Sequence, residues 1–264
     1  MLLGNTQKNK NYKILLVVPK YIGTVNTINY NYMFPLGLGY ISAILKREGY
    51  SVDCVNLNHY DGTTRKNLLK FLDRKNYDFI CTGNNALGYT ATKTIIDTAR
   101  EHKSKPRFLL GGPIITSEPE LIFNNLKPDF AVIGEGDEAV VELLDCLQKK
   151  KDLNKVNGLM FWDKSGKPIR TPIRPPPKNI DSLPFPDVEG LGFGEYLNHM
   201  YPNQYYFNTV FDNPRAYSLL GSRSCPFQCT FCYHDNNLYR PRSVSNIMEE
   251  LNSRVKKYRI NRIY

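Results

Sequence analysis

RFLLGGPIITSEPELIFNNLKPDFAVIGEGDEAVVELL, residues 107–144, is the stretch that decides the fold. It holds one pattern twice. RFLLGGP (107–113) is an apolar run ending in small residues, and EPELIFNNL (118–126) has helical spacing. FAVIGEGD (130–137) and EAVVELLDCLQKKK (138–151) repeat the pattern. Apolar runs without polar alternation belong to strands buried on both faces, as in a parallel sheet covered by helices.

Working outward, the same alternation fills the preceding hundred residues. KILLVVP (13–19) reads as a strand and PLGLGYISAILKREG (35–49) as a helix, with Leu38, Ile41, Ile44 and Leu45 on its apolar face and Gly49 as its stop. SVDCVNLN (51–58) and FICTGN (79–84) are further strands. TTRKNLLKFLDRKN (63–76), capped by Thr63 or Thr64, and TATKTIIDTAREHKS (90–104) are further helices. Strict alternation of this kind predicts an α/β domain over 12–151, a doubly wound parallel sheet of flavodoxin-like or Rossmann-like type. Residues 1–11 precede it as an expected disordered tail.

Sheets of this type bind ligands at the carboxyl ends of their strands. Three small-residue loops fall there: GNNALG (83–88), GGP (111–113) and GEG (134–136). Glycine lets a bulky ligand approach the backbone. One such loop could be a plain tight turn, but three on one edge favour a ligand.

Beyond Lys151 the pattern changes. NGLMFWDKSGKPIRT (157–171) reads as a hairpin turning at Asp163–Gly166, and RPPPKNIDSLPFPD (174–187) as an extended proline-rich strap, both within a connecting region over 152–212. The aromatic stretch from Gly190 to Pro214 has no clear pattern. AYSLLGS (216–222) reads as a strand, SVSNIMEELNSRVKKY (243–258) as a helix, and RINRIY stands where a next strand would begin. Residues 213–264 are therefore expected to be the incomplete start of a larger domain.

Composition narrows the function. The formal net charge is +10. However, Lys and Arg are scattered in pieces such as KREG, DRKN and EHKSK, without a basic stripe interleaved with aromatics. That is a generally basic surface rather than a nucleic-acid face. No apolar run approaches the roughly 20 residues of a membrane span, and MLLGNTQKNKNYK lacks an export signal's apolar core. The expected location is the cytoplasm, where six cysteines do not form a disulfide framework. Cys54, Cys81 and Cys146 lie in strand-like or helix-like runs and read as structural thiols.

The remaining three cysteines are clustered. In SRSCPFQCTFCYH (222–234), Cys225, Cys229 and Cys232 fall within eight residues. Structural zinc requires a fourth ligand, usually from a second cysteine pair, and His234 offers only a cramped bite beside Cys232. A redox pair at Cys229 and Cys232 would belong on a helix N-terminus. A cubane iron–sulfur cluster fits better. Held by three thiolates, it keeps one iron open for an exogenous ligand.

Cys225-x3-Cys229-x-Phe231-Cys232, after AYSLLGS and before YRPRSVSNIMEEL, resembles the signature of the radical S-adenosylmethionine (SAM) superfamily. PLGLGYISAILKREGYSVDCVN, LLGGPIITSEPELIFNNLKPDFAVIGEGDEAVVELL, NGLMFWDKSGKPIRT and IDSLPFPD resemble the amino-terminal half of its cobalamin-dependent members. The resemblance implies a cobalamin-binding Rossmann-like domain followed by the first βα unit of an incomplete radical SAM barrel. It implies that Cys225, Cys229 and Cys232 ligate a [4Fe-4S] cluster whose open iron binds SAM. Reductive cleavage of SAM then yields a 5′-deoxyadenosyl radical, and cobalamin carries the methyl group in the methyltransferase members. For cobalamin it implies contacts from Gly83, Asn84, Tyr89 and Thr90, from Gly111, Gly112 and Pro113, and from Gly134, Glu135 and Gly136.

Methyl transfer to an unactivated carbon is the leading expectation. Ring closure of the magnesium-protoporphyrin ester cyclase type, or a non-catalytic cobalamin-binding scaffold, are the alternatives. The implied partners are a small-molecule or peptide substrate and an electron donor such as flavodoxin or ferredoxin, with no membrane. RNA methylthiotransferases share the carboxyl-terminal motif but carry a second cysteine set, which Cys54, Cys81 and Cys146 do not match. Leu57-Asn58-His59-Tyr60-Asp61-Gly62 keeps only the His-x-x-Gly part of the cobalt-ligating motif of methionine-synthase-like domains. Leucine replaces the orienting aspartate, so His59 reads as an ordinary loop histidine.

Overall fold

A computed structural model of the chain describes residues 10–21, 28, 30, 32–200, 213–233 and 236–264. Its central element is a seven-stranded sheet in the order β2-β1-β3-β4-β5-β6-β7. The strands are β1 (Lys13–Val18), β2 (Ser51–Asn56), β3 (Phe79–Gly83), β4 (Arg107–Gly111), β5 (Phe130–Val132), β6 (Leu159–Trp162) and β7 (Pro168–Arg170). β1 to β5 are parallel. β6 then pairs antiparallel with β5, and β7 antiparallel with β6. The hairpin expected over 157–171 is therefore present, but it extends the first domain's sheet past Lys151 instead of lying in a separate connector.

The buried strands explain their own composition. Ile14, Leu16 and Val18 enter one apolar cluster and Leu15 and Val17 the other, all nearly inaccessible to water. Successive side chains of a strand point to opposite faces, so a strand covered on both sides must be apolar throughout. On the first face lie α1 (Leu36–Arg47) and α6 (Gly136–Gln148). On the second lie α2 (Thr64–Leu72), α3 (Tyr89–Glu101), α4 (Pro113–Ser117) and α5 (Pro119–Leu126).

Local signals set the helix ends. Thr63 caps α2, its hydroxyl accepting from the Lys66 amide at 3.2 Å. At the end of α1 the Gly49 amide bonds the Lys46 carbonyl and the Tyr50 amide bonds Leu45, closing the helix where the sequence placed its stop.

The strap is fastened to α1 chiefly at Asp187, with Arg47 also donating to the Ser182 carbonyl at 2.9 Å. Asp187 accepts from the Ser42 hydroxyl at 2.5 Å and pairs with Lys46 at 2.6 Å, while its amide bonds the Gly39 carbonyl. Within the stretch from Gly190 to Pro214, α7 (Phe193–Asn198) is a short helix, and residues 201–212 lie outside the described residues. Of the tail expected over 1–11, residues 1–9 also lie outside them, while Lys10 pairs with Asp145 at 2.7 Å.

Residues 213–264 pack against the α1/α6 face. β8 (Ala216–Tyr217), α8 (Val244–Tyr258) and β11 (Arg262–Ile263) form a βαβ unit with parallel strands, and Tyr217, Tyr258 and Ile260 join the first cluster beside Phe193. The unit is held by a buried ion pair, Arg242 to Glu250 at 2.5 Å, with the Tyr217 hydroxyl also donating to Glu250. AYSLLGS, expected as one strand, is two. After β8 the chain reaches β9 (Ser222–Arg223), which pairs antiparallel with β10 (Arg240–Pro241) in a separate sheet. Arg242 redirects it, its side chain donating to the Leu220 carbonyl at 3.0 Å and its amide to Gly221 at 2.9 Å. Among the described residues no helix is long and apolar enough to cross a membrane.

Candidate functional site: a glycine-walled cleft under the cysteine loop

The carboxyl ends of β3, β4 and β5 open into a cleft of about 570 Å³. Its walls include Gly83 and Asn84 after β3, Gly111, Gly112 and Pro113 after β4, and Gly134, Glu135 and Gly136 before α6. Eight of the ten cofactor residues expected from the sequence thus converge. Tyr89 and Thr90 do not. Tyr89 packs against the cluster on the opposite face, and Thr90 is exposed at the start of α3. A helix carries successive side chains around its circumference, so following β3 in sequence does not keep a residue at its end.

Close approach and left-handed backbone explain two glycines. Gly112 has φ +81, and a Cβ there would lie 3.1 Å from the backbone nitrogen and oxygen of Asn84. The Ile114 amide bonds that same carbonyl at 2.8 Å, so the two loops are fastened together. Gly134 also has positive φ, +80, but a Cβ there would meet nothing within 4 Å, and neither would one on Gly37 across the cleft. These two positions keep the cavity open, as a bulky group would require.

Sequence reading missed the other walls. Leu36, Gly37, Leu38 and Ile41 of α1 line the cleft. Leu38 and Ile41, expected on the core face, are only half-buried and present an apolar surface to the cavity. The fourth wall comes from the far end of the chain, Leu220 and Ser222 to Ser224. No local pattern could place these residues opposite Gly134.

The cysteines follow directly. Cys225 is half-buried one residue beyond the cleft wall, and Cys229 and Cys232 are exposed on the same loop, with the Cys232 amide bonded to the Cys229 carbonyl at 3.0 Å. Among the described residues, no three His, Cys, Asp or Glu side chains are gathered as a preformed metal site. His234 lies outside the described residues. Phe227 and Phe231 are exposed on the same loop. The donor set, three thiols within one short loop, suits a soft iron–sulfur group.

The other cysteines behave as structural thiols. Burial pushes Cys81, on the cleft floor, up to about 12. Burial likewise raises Cys54 to about 11, against a hydrogen bond with Ser42 that lowers it. Cys146 is buried against the Asp152 carbonyl.

His59 is no cleft residue. It is buried in a turn after β2, with Nε2 2.8 Å from the Tyr32 hydroxyl and Nδ1 3.4 Å from Glu195. Burial lowers its pKa, outweighing the nearby Glu195. Its setting is thus buried rather than an open loop, and it does not line the cleft.

Glu135 sits between two arginines. Burial alone would raise its carboxyl, but hydrogen bonds from Arg240 and Arg223 hold it below the ordinary glutamate value.

The chain resembles known proteins over most of its length. The family model for the B12 binding domain matches residues 24–144. An uncharacterized methyltransferase of Pyrococcus horikoshii is 29% identical over 244 residues, covering 90% of this chain and 50% of that protein. The anaerobic magnesium-protoporphyrin IX monomethyl ester cyclase of Rubrivivax gelatinosus is 25% identical over 260 residues, covering 93% of this chain and 43% of that protein. The chain thus spans half or less of these relatives. The radical S-adenosylmethionine methyltransferase TsrM of Kitasatospora setae, solved with cobalamin and a [4Fe-4S] cluster, superposes with a TM-score of 0.70 at 15% identity, over 93% of this chain and 47% of that one. Residues 24–144 thus resemble a B12 binding domain, and the chain as a whole shares the fold of that methyltransferase.

Proposed function

We propose that this chain supplies the cobalamin cleft and the cluster-bearing loop of a radical SAM enzyme that transfers a methyl group to an unactivated carbon. The observation that carries the reading is the adjacency of the two features: the strand leading to Cys225 forms a wall of the same cleft as Gly111 and Gly134. Gly83, Asn84, Gly111, Gly112, Pro113, Gly134 and Gly136 would hold cobalamin, with Leu36, Leu38 and Ile41 as the apolar side. Cys225, Cys229 and Cys232 would hold a [4Fe-4S] cluster. When bound, that cluster supplies the electron that cleaves SAM, and cobalamin supplies the methyl group.

The chain's own contribution is exclusion and orientation. Apolar α1 side chains keep water from one side of the cleft, while the glycines allow a large group to reach the backbone. The substrate is a small molecule or peptide, and a flavodoxin- or ferredoxin-like protein delivers the electron. Likeness to a cyclase along nearly the whole chain favours oxidative ring closure as the second reading.

Anaerobic reconstitution with iron and sulfide, followed by dialysis against cobalamin, tests the proposal. It predicts thiolate–iron absorption that disappears in C225A, C229A and C232A, and cobalamin retention that weakens in G134V. If cobalamin is retained but dithionite drives no SAM cleavage in a chain extended to the length of its relatives, a binding scaffold replaces the enzyme reading.

A further inference from the structure

The loop that carries the three thiols has a charged base. β9 and β10 pair with Arg240 opposite Arg223, so the chain that runs between them, described over 224–233 and 236–239, is closed at its base by two arginines. Both guanidinium groups reach Glu135, at the start of α6, and Arg223 also reaches Asp137 in the first turn of that helix. Arg223 bonds Asp137 in bidentate fashion, one contact at 3.0 Å, and Glu135 at 2.8 Å. Arg240 bonds both oxygens of Glu135, one at 2.9 Å. The side chains of Asp137 and Arg240 are each 4% exposed, and those of Arg223 and Glu135 14% and 15%. Two positive charges thus meet two negative ones in a shielded place. Such a set holds its geometry because parting it would leave buried charges uncompensated.

The acids are themselves well placed. They flank Gly136, and Asp137 lies in the first turn of α6, where the helix dipole favours negative charge. A second contact reaches the neighbouring loop. The Tyr233 hydroxyl donates to the Thr116 carbonyl at 3.3 Å, and the Thr116 hydroxyl accepts from the Gly134 amide at 3.0 Å.

We infer that Glu135, Asp137, Arg223 and Arg240 form a clamp that positions the 224–239 loop, with its three thiols, over the glycine cleft. Glu135 is then a positioning residue rather than a direct contact to the bound group. The inference rests on the proposed function only for what the thiols hold, since the clamp itself needs no cofactor.

Hydrogen–deuterium exchange read by mass spectrometry on the full chain, without iron, tests it. In E135Q/D137N the exchange of residues 224–239 should rise on the order of a hundredfold, as when one side of a buried ion pair is removed. Protection of β1 to β4 should stay unchanged. The charge-swapped D137R/R223D should recover part of the loop's protection, and R223K should fall between wild type and R223Q. A loop that exchanges at the wild-type rate in E135Q/D137N overturns the clamp. So does a swap no better protected than D137R alone.

Reconstitution with iron and sulfide supplies a spectroscopic arm. The clamp predicts that E135Q/D137N takes up iron through the same cysteines, but with a broadened distribution of cluster EPR signals. Failure of wild type to bind iron would remove the cluster reading and leave the clamp standing. Failure of the exchange result would do the reverse.

Discussion

The two lobes of the molecule are stabilised by different physics. The lobe built on β1 to β7 is a sheet with an apolar cluster on each face, and its central strands β1, β3, β4 and β5 are buried over most of their length. The region from Arg215 onward has two two-stranded sheets among the described residues, and beside apolar residues such as Tyr217 and Tyr258 it buries charge: Arg242 with Glu250, and Arg223 and Arg240 with acids from across the cleft. Apolar burial is non-directional and tolerates small shifts. Charge-assisted hydrogen bonds fix geometry closely, at the risk of a large penalty when one partner is lost. The first lobe can therefore serve as a platform, while the second places a short, thiol-bearing loop at one position relative to it.

The largest effect that would test this contrast is at Glu250. E250A leaves Arg242 buried without its partner and should cost about 3–5 kcal/mol. Denaturant unfolding should show the loss, with exchange rising first in α8 and β11. If the cost spreads evenly over both lobes, they are not separately stabilised.

L16A, in the middle of β1, removes a wholly buried side chain and should cost about 2–5 kcal/mol in the first lobe. Unlike that of the Glu250 variant, its cost should appear as raised exchange in β1 and its neighbours β2 and β3 rather than in α8 and β11.

D187N sharpens the boundary between the lobes, since Asp187 pins the strap to α1. Burial would raise its carboxyl, but hydrogen bonds from Lys46 and Ser42 hold it below the ordinary aspartate value. A depressed folded pKa contributes stability that is present above the unfolded pKa and lost as pH falls through the folded one. The wild-type strap should therefore loosen below roughly pH 4. D187N should lose about 1.5–3 kcal/mol at neutral pH and show a flatter acid limb in pH-dependent melting.

The smallest effect is chemical rather than energetic. In the metal-free chain near pH 8, iodoacetamide should label Cys229 and Cys232 quickly. Cys54 and Cys81, held by burial near 11 and 12, should remain unlabelled until the chain unfolds. Peptide mapping reads the difference, and rapid labelling of Cys81 would contradict its place on the cleft floor.

Much of the first lobe was legible because its signals are local. The apolar runs at 13–19, 79–84 and 107–113, the cap at Thr63 and the stop at Gly49 act within a few residues of themselves. The short helix α4 escaped because Gly112 and Pro113 look like a turn, and Pro113 also suits the first position of a helix. The split of AYSLLGS escaped for a different reason. Arg242, more than twenty residues downstream, captures the carbonyls that redirect the strand. In the site, the glycines after β3 and β4 and before α6 could be anticipated from strand ends alone. The positions of Tyr89 and Thr90 off the cleft, the α1 wall and the Glu135 arginines depend on how elements rotate and dock.

The sequence by itself determined that a doubly wound sheet forms, where its glycine loops fall, and that three cysteines share one short loop. Strand burial, turn geometry and ligand spacing are properties of neighbouring residues. Only the tertiary structure decided that the hairpin continues the same sheet, that α1 furnishes a wall of the cleft, and that Arg223 and Arg240 reach Glu135 and Asp137. Those contacts join residues roughly ninety to a hundred positions apart. They depend on the packing of one lobe against the other, which no local pattern encodes.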